Sequence, residues 1–162
     1  MIPIHGWLVP RIVADRAGKW DERISLHDDG EYFCRVILNS AGIRFCPEAR
    51  VYYRQVPGSL SRCRSRTAAE SYLAVCDSYR AVMGEIQDSG RSRAALAINY
   101  SRFLYETHPK YPDLLDRALD CLRELGFDEP PVVGGKRFKW MACRIGMKRA
   151  LRARAWLRRS GV

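Results

Sequence analysis

Asp28, Asp29 and Glu31 put three carboxylates within four residues, with His27 just before them and Arg35 four residues after Glu31. A carboxylate held at a loop-to-helix junction can take the proton of a hydroxyl as that oxygen attacks an electrophile. An ordinary aspartate is a weak base, so its effect depends on being aimed at the acceptor oxygen. Asp28 and Glu31 would raise the local negative potential, and Arg35, one helical turn beyond Glu31, can pair with it. The same letters also read as an acidic turn capping a helix, where exposed backbone N–H groups and the helix dipole favour negative charge. His27 can touch a metal or phosphate, or sit solvated in a polar turn. Carboxylates alone do not name a reaction.

The flanking sequence must position this cluster. Residues 5–11, HGWLVPR, read as a loop, and IVADRAG as a helical turn or two stopped by Gly18. A turn over 20–24 and the acidic loop 27–30 lead into a predicted helix over 31–40, with Phe33, Ile37 and Ala41 on one face and Gly42 as its stop. Residues 43–54, IRFCPEARVYYR, carry β-branched and aromatic residues on either side of Pro47-Glu48, as two short strands joined by a turn would. The polar, basic stretch 55–67 reads as an exposed loop. From Ala68 the period becomes helical. Ala69, Tyr72, Leu73, Cys76, Tyr79 and Met83 mark a first apolar face, and Ala94, Ile98 and Leu104 a second. A third helix over 112–125 opens with Pro112 and Asp113, turns Leu115, Leu119, Leu122 and Leu125 inward, and stops at Gly126.

Charge is segregated along the chain. Of 28 basic residues ten lie in 130–162, which holds no acidic residue, so the remaining 18 balance the 18 acids of 1–129. The net charge of +10 is therefore a basic tail on a neutral body. Within 136–159, Trp140, Met147 and Leu151 fall near one side of a helix whose other sides are basic. An anionic membrane surface, a partner protein and plain solvation stay open for it, with nucleic acid less favoured. The six cysteines stand at least twelve residues apart, without the CxxC or CxH spacing of common zinc sites, and read as thiols of a reducing compartment. No apolar run reaches the roughly 18 residues of a transmembrane helix, and the N-terminus lacks signal-peptide character. The expectation is a cytoplasmic protein, with peripheral attachment to the inner face of a membrane left open.

Taken in order, GWLVPR and then AGKWDERISLHDDGEYFCRVILNSAGIRFCPEARVYYR resemble the later part of the catalytic domain of family 2 glycosyltransferases. That pattern has a G-x-W/F segment, a G-x-[FW]-D-E turn, an acidic [ED]-D-x-[ED]-[FY]-x-x-R motif, a G-[IV]-x-[FY]-x-P strand pair and a closing Y-R. The resemblance covers about residues 5–61. It implies that Asp29 is the catalytic base, with Asp28 where glutamate is usual. Glu31 and Arg35 then match the downstream acid and arginine, and Trp20, Asp21 and Glu22 the preceding turn. Trp7 falls where the acceptor cleft is lined, and Arg54 is the arginine of the closing Y-R; by its residue type it can approach the acceptor or a phosphate, or equally pair with an acidic residue. A concave face joining Trp7, Trp20, Asp29 and Arg54 is expected.

The resemblance also implies a GT-A fold and inverting transfer of a sugar from a nucleotide-diphosphate donor, with Mg or Mn where a complete site is assembled. Neither a Gly-rich phosphate loop nor a D-x-D element occurs in the 162 residues. The expected architecture is accordingly α/β, an incomplete GT-A-like portion with short strands over 1–67, followed by helices over 68–129 and the basic tail over 130–162. No cofactor or metal site is expected in this chain alone. A separate donor-binding half is the expected partner, and the Q-x-x-R-W element of processive synthases is lacking. A catalytically inactive docking or regulatory protein derived from the same fold is the alternative.

Overall fold

A computed structural model describes residues 4–52, 54, 64–86 and 89–159. Among them a 3-10 turn, Ile4–Gly6, precedes seven α-helices: α1 (Arg11–Ala17), α2 (Asp28–Leu38), α3 (Arg66–Ile86), α4 (Gly90–Thr107), α5 (Pro112–Glu124), α6 (Lys136–Ile145) and α7 (Met147–Arg159). They fall into two units, Met1–Tyr79 and Arg80–Val162, divided within α3.

The expected α/β class, an incomplete GT-A-like portion with short strands, is overturned, because the described residues hold helices and no strand. Residues 43–52 have the composition of strands, but a strand exists only through a ladder to a neighbour. Here Ala49 N–H donates to the Cys46 carbonyl at 3.3 Å, a turn without a ladder around it. Every described residue from 41 to 54 is exposed. Tyr53 and residues 55–63, most of the predicted loop, lie outside the described residues.

In the first unit α1 follows Pro10 and ends at Gly18, whose φ of 78° suits a residue without Cβ. α1 packs on α2, and Ala17, Phe33 and Val36 form a small buried core flanked by Trp7, Val9, Val13, Trp20 and Tyr32. The buried face of α2 thus runs through Phe33 and Val36, while Ile37 and Ala41 are exposed. α2 also starts three residues before the predicted position. His27 takes a left-handed turn at φ 64°, and Asp28 and Asp29 enter the first turn instead of preceding it.

In the second unit, a reciprocal capping box opens α4, with Ser92 N–H donating to Ser89 Oγ at 3.1 Å and Ser89 N–H to Ser92 Oγ at 2.9 Å. Pro112 begins α5, which buries Leu114, Leu115, Ala118 and Leu122. That stripe is rotated slightly from the predicted one. α4 packs on α5 and α6 on α7. The basic tail is two helices broken at Gly146, where φ is 83° and an added Cβ would lie 2.9 Å from Glu129 Oε1. Phe138, Ala142, Met147, Ala150 and Leu151 are buried, whereas Trp140 is exposed, so Trp140 does not share a side with Met147 and Leu151.

Candidate functional site

The acidic motif divides into two environments along α2. Glu31 points to the interior, its side chain 5% exposed. Arg35 grips it with both branches, Nε donating to Oε1 at 2.7 Å and a terminal nitrogen to Oε2 at 2.8 Å. The i,i+4 spacing brings these side chains onto one helix face, and the planar guanidinium matches a carboxylate in this two-bond geometry. Ser78 Oγ on α3 donates to Glu31 Oε1 at 2.8 Å. Arg35 also donates to the Ala17 carbonyl and, at 2.9 Å, to that of Lys19, so the pair ties α2 to the end of α1 and to α3. Burial works to raise the Glu31 pKa, but the hydrogen bonds from Arg35 and Ser78 outweigh it and hold the carboxyl below its usual range. The hydrogen bond to Glu31 raises Arg35 in turn.

Asp28 and Asp29 are only half-buried at the N-terminal end of α2. Gly30 N–H donates to Asp29 Oδ1 at 2.7 Å. α3 closes on this turn at Gly30, where a Cβ would meet the Tyr79 hydroxyl at 2.7 Å. Burial pushes the Tyr79 phenol well up, and the nearby Cys34, Cys76 and Asp29 add to the effect. Just upstream, Ser71 Oγ accepts from Ser25 N–H at 2.8 Å and Leu26 N–H at 2.9 Å and donates to the Leu26 carbonyl at 3.1 Å, fixing the chain that leads to Asp28.

The aromatic residues named in the motif pack on α2 rather than standing open around Asp29. Trp7 stacks on Phe33 at 4.7 Å between ring centroids, and Trp20 on Tyr32 at 4.3 Å. The Arg35 guanidinium lies 5.4 Å from the centre of the Tyr32 ring. Beside Asp21, Arg23 donates two side-chain hydrogen bonds that hold that carboxyl down at about 2. Arg54 is exposed. The described groove of this unit, about 1080 Å³, runs between the N-terminal segment, the end of α2 and residues 42–51. Trp7, Val36, Ile37, Ile43 and Phe45 line it, while Asp29, Trp20 and Arg54 do not. The expected concave face joining all four residues does not coincide with this groove, which Trp7 alone of them borders.

Ser71 and Ser78 were not singled out in the sequence, and Tyr79 was read only as part of an apolar face, because a serine or tyrosine on a long helix carries no pattern of its own. One signal did exist. Glu31 stands one helical turn before Arg35, and an acid that is buried needs such a donor. Among the described residues no three His, Cys, Asp or Glu side chains converge as metal ligands. The divalent ion implied by the resemblance thus has no ligand set among the described residues. Compared with known protein families, curated proteins and solved structures, the chain finds no match.

Proposed function

We propose that residues 5–61 are the acceptor-side segment of a family 2-like glycosyltransferase, in which Asp29 is the general base and a separate chain supplies the donor-binding half. The observation that carries this reading is the division within the acidic motif. Glu31 and Arg35 engage each other inside the unit, while Asp29 stands at an accessible helix start, stiffened by the turn around it. That arrangement supports one carboxylate for chemistry and a second acid for positioning it. In the reaction, Asp29 takes the proton of an acceptor hydroxyl as its oxygen bonds to the anomeric carbon and the nucleoside diphosphate departs. Charge on the departing diphosphate must be stabilised by groups that the partner provides. Residues 136–159 would draw such an enzyme to an anionic surface carrying lipid-linked acceptors.

The test is to isolate the chain with its native partners and assay sugar transfer from labelled UDP-, GDP- and dTDP-sugars with magnesium or manganese, alongside Asp29→Asn. Loss of a general base should slow transfer by about 100-fold or more, with an unchanged melting temperature. Transfer by Asp29→Asn at the unaltered rate would remove Asp29 from the chemistry. Micromolar donor binding by the isolated chain in calorimetry would remove the need for a second half.

A further inference from the structure

The C-terminal helices present a surface whose chemistry is independent of the transferase reading. Their apolar residues are already used, since Phe138, Ala142, Met147, Ala150 and Leu151 are buried in the second unit. What remains outward is a tryptophan on each helix, flanked by cations. On α6, Lys136, Trp140 and Arg144 follow one another at i, i+4 and i+8, and all three are exposed. On α7, Arg149, Arg152 and Trp156 recur at i, i+3 and i+7, and these too are exposed. The indoles are 61% and 67% accessible, and the Arg144 guanidinium lies 3.8 Å from the centre of the Trp140 ring.

Two further cations are engaged by the body of the unit and do not contribute to this surface. Lys148 Nζ donates to the Asp128 carbonyl at 2.6 Å, and Arg154 donates to the Tyr105 carbonyl with its guanidinium over the Tyr105 ring. No acidic residue occurs anywhere in 130–162 to neutralise the rest.

We infer that the outward faces of α6 and α7 form a shallow docking surface for an anionic lipid bilayer. Cations draw the surface to acidic headgroups, and Trp140 and Trp156 seat at headgroup depth, where indoles are favoured. Deep insertion is closed to these helices, because the apolar face that would enter the acyl region is the one packed inside the protein. Binding is therefore dominated by charge and is sensitive to salt. A lipid surface fits better than a nucleic acid because Ile145 and Leu157 are also exposed on these helices, and phosphates and sugars offer aliphatic side chains little.

The experiment is co-sedimentation of the full chain with vesicles of phosphatidylcholine, pure or with about 30% phosphatidylserine. Binding is expected only on the anionic vesicles, at least about tenfold weaker in 0.5 M than in 0.1 M salt, with a blue shift of tryptophan emission. The triple variant Lys136→Glu, Arg149→Glu, Arg152→Glu and the double variant Trp140→Ser, Trp156→Ser should each weaken it about tenfold or more, with unaltered circular dichroism. Lipid and salt dependence of the unaltered chain test the inference even where a variant fails to fold. Equal binding to neutral vesicles, no binding to anionic ones, or tighter retention of single-stranded RNA at the same salt would each overturn it.

Discussion

In the second unit Tyr100 and Phe103 are fully enclosed, while in the first Leu8, Phe45 and Tyr52 are 99%, 82% and 87% exposed. The second unit is built of helix pairs whose apolar stripes face one another, so burial comes from repeated contacts along α4 with α5 and α6 with α7. In the first, α1 and α2 enclose a few aromatic and aliphatic side chains, and the interior is tied together by a charged group, Glu31 held by Arg35 and Ser78. The second unit relies on packing, while the first adds to its packing, which includes the buried Leu73, Val75 and Cys76 of α3, a bonded ion pair and an open apolar groove. Large exposed apolar patches on a folded surface mark places where something else binds. The proposed donor-side partner gives this one a use.

The difference between the units can be broken at its strongest point by Phe103→Ala, which empties a closed site on α4. The expected cost is about 4 kcal/mol, read by denaturant unfolding, with hydrogen-exchange protection lost in α4 and α5 and retained in α1 and α2. Equal loss of protection in α2 would mean that both units unfold as one.

A smaller effect is expected from Glu31→Gln, which leaves Arg35 without its charged partner and costs about 3 kcal/mol, with protection lost mainly in α1 and α2. This variant also sharpens a pH dependence. The folded Glu31 carboxyl lies below its usual value. Its stabilisation is thus fully present above the unfolded pKa of about 4.3 and disappears as pH falls through the lower folded value. Acid titration of the unaltered protein should show α2 losing protection in that window, and Glu31→Gln should show no such step.

Phe45→Ser lies at the other extreme. A side chain this exposed has little to lose, so stability should change by less than about 0.5 kcal/mol. If the proposed partner covers the groove, the same substitution should weaken co-purification of that partner, and retention of both stability and partner would show that the groove is left open.

Much of the helical architecture was legible in the residues. The period-3.6 spacing after Ala68, the opening Pro112 and the stop at Gly126 are local signals, and α3, α4 and α5 form where they point. The strands over 43–54 failed for a reason that residue type cannot carry, because strand-forming side chains need a second strand at the right register. Among the site residues, the i,i+4 pairing of Glu31 with Arg35 was readable from spacing. Its burial and its third partner, Ser78, were not, since that contact joins residues 47 positions apart.

The sequence by itself determined the location of the charge, the order of the acidic and aromatic motif and the helical nature of the later chain, because each is a property of neighbouring residues. Only the tertiary structure decided that Glu31 turns inward while Asp29 stays accessible, that Trp7 and Trp20 stack on α2, and that Met147 and Leu151 are buried away from the outward tryptophans of the tail. Each of those outcomes depends on which distant surface a side chain meets, and a helical period fixes only the direction in which it points.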